Sequence, residues 1–437
     1  MTAGEAAPRR RLHMHRILFK KRWMTTGAVV ALAAVAWMAR EPIADRIIRD
    51  QFDSRGIRAS YTIDKIGFGS EQLSHLVIGD PARPDLTATH VEVRIGYGWS
   101  GPYVSGVIAD GVRLYGRFVD GRLSLGSLDR FRDPTDTTPF ALPDLWVRVA
   151  DARARVETPW GNVGAALNGS GNLRRDFSGK LALVAPRIAT AGCSVRDASF
   201  YGTVDVRNVR PRLNGPLRGA SLSCADGRVS AASPQIALDV SLSENLRSWS
   251  GKADASIAKL VAMAIAADRL GVKAAFDGTA DRTAIDVDAA IAGLHSEAFA
   301  ARGVTLTAKG IVGKQAPTIE GSLRVSQASG SVALRRSIVA GAEEWSGSPV
   351  GPLASRAAKA LAAMLADTSG ETAFALKGAG AEARIDLLEP RLTSASGGRF
   401  IGSDGSRIAY LFGGPKPAVT ANGSWTFGGG DLPSGSL

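Results

Sequence analysis

From about residue 60 to the C-terminus the chain alternates apolar and polar residues with a period of two. That pattern restricts it to half-buried β-strands. The alternation runs through Val91-Glu-Val93-Arg-Ile95, Val112-Arg-Leu114, Leu145-Trp-Val147-Arg-Val149, Leu181-Ala-Leu183 and Val204-Asp-Val206. It continues through Ile236-Ala-Leu238-Asp-Val240-Ser-Leu242, Ile285-Asp-Val287, Leu323-Arg-Val325, Val332-Ala-Leu334, Phe374-Ala-Leu376, Ile385-Asp-Leu387 and Trp425-Thr-Phe427. The expected body is mostly β. The dipeptides Asp110-Gly111, Asp120-Gly121, Asn168-Gly169, Asp226-Gly227, Asp277-Gly278 and Asn422-Gly423 are read as tight hairpin turns, so the pairing is antiparallel.

Two segments depart from the alternation. Leu353, Ala357, Leu361, Met364 and Leu365 fall at helical spacing after Pro349 and Pro352, which predicts a helix over 353–367. Ala258 to Leu270 fits a helix and strands about equally. Asp129 to Pro143 holds three prolines and reads as a loop. At about 13 residues per strand and turn, the body holds ~28 strands, or ~130 Å of stacking in one continuous sheet. Such a sheet has to curl, fold into sandwiches or bend into a trough, and the shortage of covering helices favours a curled sheet. A trough lined by Leu, Val and Ile would shield acyl chains from water, at ~0.8 kcal/mol per buried methylene. The candidate lining residues are Leu181, Leu183, Ile236, Leu238, Val240, Leu323, Val325, Trp425 and Phe427.

Charge is concentrated at the start. Half of the formal net charge of +12 lies in residues 1–22, a basic segment expected in the cytoplasm. The rest is too dilute to track a phosphate backbone, so nucleic acid is not an expected partner. Trp23 to Ala39 follows without a charge, long enough as a helix to cross a bilayer core. Trp23 and Trp37 sit at headgroup level and Leu32 and Val35 in its interior, which makes 23–39 a transmembrane helix with the body outside. The rival is a cleaved secretory signal at Ala34-Val35-Ala36, which exports the same body. Residues 41–56 form an amphipathic helix through Ile43, Ile47, Ile48 and Phe52, ending at Gly56. Cys193 and Cys224 are a candidate disulfide, with two buried free thiols as the alternative.

Motifs for chemistry fail on context. Gly96-Tyr-Gly98-Trp-Ser-Gly101 has dinucleotide spacing but is followed by another strand, so it reads as a β-turn. Lys309 to Lys314 lacks the spacing of a phosphate-binding loop. No Ser-nucleophile elbow or His-Glu-x-x-His pair occurs, and His75, His90 and His295 stand apart. The expectation is a protein that is not an enzyme and carries no cofactor or metal.

The basic start, the anchor, the segment EPIADRIIRDQFDSRGIRASYTIDKIGFG (41–69) and the phrase ADGVRLYGRFVDGRLSLGSLDRF (109–131) resemble the AsmA-like proteins of the YdbH type. The resemblance implies a bacterial inner-membrane anchor, a periplasmic β-groove over 57–437, and phospholipid cargo carried between two membranes. It leaves room for an outer-membrane or periplasmic protein partner. Members of that family run longer, so the chain is expected to be a truncated product or a short relative. Competing readings are a cell-envelope assembly factor that pairs its strand edges with protein partners, and an exported hydrolase built on scattered carboxylates.

Overall fold

The computed structural model describes residues 52–436 apart from 68, 100, 120–121, 132–141, 191, 263, 315, 380–381, 413–417 and 431. The anchor residues Trp23, Leu32, Val35 and Trp37, and most of the amphipathic segment 41–56, lie outside the described residues. Among the described residues no helix is long and apolar enough to cross a membrane.

The described chain forms one curled 27-stranded sheet. It opens with β1 (Ala59–Ile66), β2 (Ser70–Asp80), β3 (Arg83–Gly98), β4 (Gly101–Asp110), β5 (Arg113–Val119) and β6 (Arg122–Ser124). Gly98 pairs with Gly101 at the β3–β4 hairpin, so the dinucleotide-like spacing closes a turn, as its context suggested. Strand β7 (Trp146–Thr158) joins β4 and β5 in parallel, the one departure from antiparallel order. A meander follows: β8 (Gly161–Asn172), β9 (Ser178–Thr190) and β10 (Cys193–Arg207).

The next rows are each split in two. They comprise β11 (Arg210–Arg218) with β12 (Ser221–Cys224), β13 (Val229–Ala232) with β14 (Gln235–Leu242), and β15 (Ser248–Ile257) with β16 (Lys259–Ala262). Long strands resume at β17 (Ile265–Thr279), β18 (Arg282–Ser296), β19 (Phe299–Gly313) and β20 (Thr318–Gly330). The ambiguous stretch 258–270 is therefore strand. Beyond a helical hairpin lie β21 (Thr368–Ala379), β22 (Glu382–Ser394), β23 (Arg399–Gly402), β24 (Arg407–Phe412), β25 (Ala418–Asn422), β26 (Trp425–Gly429) and β27 (Leu432–Ser436). Because the split strands share rows, the sheet has about twenty rows and a stacking length of roughly 95 Å. That is shorter than one row per strand would give.

The hairpin consists of α1 (Val332–Glu343) and α2 (Gly351–Met364). Helix α2 matches the predicted helix within the usual boundary scatter, with Pro352 in its first turn. Helix α1 corrects the strand reading of Val332-Ala-Leu334. Ser331 caps it, accepting from the Leu334 backbone N–H at 3.2 Å, and this side-chain cap outweighs three residues of alternation.

Four turn dipeptides are also corrected: Asp110-Gly111 links β4 to β5 and Asn422-Gly423 links β25 to β26, and in each case the two strands continue one row in the same direction. Asn168-Gly169 lies inside β8 and Asp277-Gly278 inside β17. Gly169 serves close approach: a Cβ there would meet the Phe177 ring at 2.7 Å and the Gly179 Cα at 2.8 Å. At Gly278 the backbone of Arg282 and Thr283 occupies the space a side chain would need. Glycine marks an intimate backbone contact at these positions.

The curl has a local cause. Asp151, Asp197, Gln327 and Glu389 adopt positive φ of 46°, 51°, 49° and 50° within long strands. Register shifts accompany this between Val149 and Ala152 and between Val325 and Ala328. Each is a bulge that bends its strand and strengthens its twist. The splits at Gly219-Ala220 and Ser233-Pro234 continue the same crease across β10 to β16, joined by hydrogen bonds from Ala220 N to Arg196 O and Ser233 N to Ala220 O. Each row thus has a long arm and a short arm meeting at an angle.

Candidate functional site: an apolar trough

Residues directly opposite one another on paired strands share a face, so the register defines what lines it. One row passes through Ala154, Ala165, Leu183, Phe200, Leu217 and Ile236. It continues through Ala255, Val272, Ala289, Leu306, Leu323 and Thr372. From β7 to β21 that row carries no charge, and Thr372 is its single polar member. The neighbouring row runs Leu238, Ala253, Ala274, Val287, Ala308 and Gly321, then Phe374 and Leu387. Another runs from Val240 through Gly251, Phe276 and Ile285 to Gly310 and Ile319.

The short arm repeats the pattern. Val195, Leu222, Ala231 and Leu260 lie in one row with Ala267, Leu294, Ala301 and Ala328. Ala231, Ala267 and Ala301 are buried there. The long-arm rows are mostly half-buried: Leu183, Ile236, Leu238, Val240, Leu306 and Leu323 all stay accessible to water while their flanking residues project outward. A sandwich core would bury them. Here they form an uncharged, half-buried face of the curled sheet, the candidate lining of a trough.

Glycine and phenylalanine together keep the floor low. A Cβ at Gly321 would meet Phe374 Cε1 at 2.9 Å, and one at Gly251 would meet Phe276 Cζ at 3.1 Å. Each ring lies over the glycine of its neighbour strand, so a large side chain covers floor without rising into the cavity. This accounts for part of the high glycine content, 50 residues in 437.

The opposite face is charged and exposed. Lys309 pairs with Asp286 at 3.1 Å, Arg324 with Glu371 at 3.1 Å, and Arg212 with Asp239. The Arg212 hydrogen bond holds the Asp239 carboxyl below its usual range, and the Arg113 hydrogen bond does the same for Asp151. Exposed pairs of this kind contribute little stability each and fix which face meets water. The remaining shifted carboxyl, Glu71, is pushed up by burial at the start of β2. These three acids lie on separate strands and do not converge on the trough. Among the described residues no group of three or more His, Cys, Asp or Glu could hold a metal.

The register places most of the sequence-nominated residues in shared rows. Leu183, Ile236 and Leu323 share one row, Leu181 and Leu238 occupy the next, and Val240 lies beyond them. Val325 belongs to a row that runs through Gly370, Leu392 and Phe400 to Phe427. Trp425 is buried, pairing with Gly402 and stacking on Phe400 at 5.3 Å. Cys193 and Cys224 are directly opposite on β10 and β12 and are disulfide-bonded, which resolves the alternative of free thiols. The short-arm row was missed by the alternation alone. Its signal was a slip of phase, from Val195 to Ala198 and from Val325 to Ala328, three residues apart where two would keep the face.

The fold is that of a mostly β protein: a long curled meander with one charged face and one uncharged, half-buried face. The chain matches the YdbH-like family, whose description is intermembrane phospholipid transport protein YdbH, over residues 28–431. It belongs to that family. Searches of curated proteins and of solved structures gave no match.

Proposed function

We propose that the protein is a non-enzymatic carrier of phospholipid, anchored in a bacterial inner membrane, with its trough in the periplasm passing acyl chains toward the outer membrane. The observation that carries this reading is the uncharged row from Ala154 to Thr372, which crosses twelve strands with every member except the buried Phe200 only partly covered. Acyl chains laid along it lose contact with water at ~0.8 kcal/mol per methylene, and a headgroup at the rim keeps its hydration. Membership of a phospholipid-transport family supports the cargo. The disulfide supports an oxidising compartment, and the basic segment before an uncharged seventeen-residue run supports the orientation.

Full-length protein extracted in mild detergent is expected to retain phospholipid, measured by mass spectrometry. Leu238→Glu with Val240→Glu should lower the retained lipid severalfold with an unchanged circular dichroism spectrum, because each carboxylate would stand in the acyl path. Fully folded wild-type protein that never holds lipid would sink the proposal. The assembly-factor reading draws on one feature: β27 has β26 as its partner on one edge, and strand edges recruit other strands. Crosslinks from the trough to protein in place of lipid would favour it.

A further inference from the structure

The helical hairpin contains a cleft that the trough does not explain. It is an open groove of about 490 Å³ between α1 and α2, lined by Val332, Val339, Ala362 and Ala363 with Arg335 and Arg336. The volume suits one small amphiphile. Val332 is 53% exposed at its mouth, an apolar side chain left in water beside two cations. Neither guanidinium has an ion-pair partner among the described residues, and Arg335 Nε is enclosed without a hydrogen-bond partner. Arg335 is half-buried and Arg336 exposed, so together they place two positive charges beside the apolar lining, with one enclosed N–H donor left over. Glu343 also lines the cleft, but it follows Arg336 by two turns of α1, ~10 Å along the axis. The Arg end is therefore the anion-binding end.

The hairpin that carries the cleft is attached at the end of β20. Helix α1 begins two residues after Gly330, where a Cβ would meet Leu334 Cδ2 at 3.3 Å. Gly330 N donates to Leu365 O, tying both ends of the hairpin to the end of β20 beside the short-arm residue Ala328.

We propose that this cleft is a headgroup site for one anionic glycerophospholipid. The phosphate engages the outer Nη edges of Arg335 and Arg336, and an acyl chain covers Val332 and Val339 on its way to the rim. Guanidinium pairs bind phosphate with two donors each, and the apolar floor distinguishes an amphiphile from a free ion. The inference rests on the carrier reading and assigns a place where cargo enters or leaves the trough sideways.

The test places a photoreactive phenylalanine analogue at Val339 or, separately, at Leu238 of the full chain in an uncharged maltoside detergent, with phosphatidylglycerol added. Adducts at Val339 should fall at least tenfold in Arg335→Gln/Arg336→Gln and persist in Arg335→Lys/Arg336→Lys, while adducts at Leu238 remain. Excess dihexanoyl phosphatidylglycerol should compete at Val339, whereas inorganic phosphate or phosphate-free dihexanoylglycerol should not. Lipid adducts at Val339 that ignore the charge change, competition by inorganic phosphate alone, or adducts only to protein would overturn the site. Loss of lipid at Leu238 in the wild type, with Val339 still labelled, would count against the trough and spare the cleft.

Discussion

At the residue scale the decisive partnership is a large ring above a missing side chain. Gly321 lies near the start of β20 with Phe374 against it and the Thr307 carbonyl oxygen close by, so a Cβ there has nowhere to go. Replacing it by Val would drive the ring upward into the trough and push the β19–β20 pairing apart. Overpacking of this kind costs about 1–3 kcal/mol. Gly321→Val is expected to lower the urea unfolding free energy by about 2–3 kcal/mol. The outward neighbour provides the contrast. Ser322 is exposed on the charged face, where its hydroxyl pairs with Thr307 Oγ1 at 2.8 Å, and Ser322→Val, which loses that one exposed hydrogen bond, should cost less than about 1 kcal/mol. Equal effects at the two positions would show that the ring does not depend on the glycine.

At the element scale, the crease divides each row into a long and a short arm, and the Cys193–Cys224 bond ties β10 to β12 on the short arm. The bond closes a loop with a sequence separation of 31. Loop-closure entropy for that length gives about 3.5 kcal/mol of stabilisation. Cys193→Ala/Cys224→Ala should therefore lower stability by about 2–4 kcal/mol. Hydrogen exchange should quicken at Val195 and Leu222 before it does at Phe200 or Leu217 on the long arm. Uniform acceleration across both arms would mean that they unfold as one unit. The long arm was legible in the sequence because Ile236-Ala-Leu238-Asp-Val240 states its own face. The short arm was obscured because each bulge shifts the phase by one residue and half of its row is alanine, a weak hydrophobic signal. Asp, Gln and Glu at positive φ carry no marker of the kind glycine gives. Helix α1 was missed for a related reason: Val-Ala-Leu satisfies either period over three residues, and only Ser331 before it argued for a helix.

At the scale of the whole molecule, an unfilled trough and an extended outline are one physical statement. A chain of this length packed as a globule would have a radius of gyration near 22 Å. About twenty rows at ~4.8 Å extend roughly 95 Å, and a body of that length with a cross-section of two facing arms gives a value near 30 Å. Sheet twist coils the trough about its long axis without shortening it much, since row spacing is set by backbone hydrogen bonds. On the proposed carrier reading the geometry has a functional consequence, because cargo handed along the rows would meet the same uncharged lining at each step and no step would be a deep trap. Small-angle neutron scattering on the full chain, with the detergent contrast-matched, should give a radius of gyration of about 30 Å or more. Filling the trough with lipid should leave that value nearly unchanged, because the backbone ladder already fixes the length. A value near 22 Å would mean that the arms fold back on one another, burying the lining and leaving no path for an acyl chain.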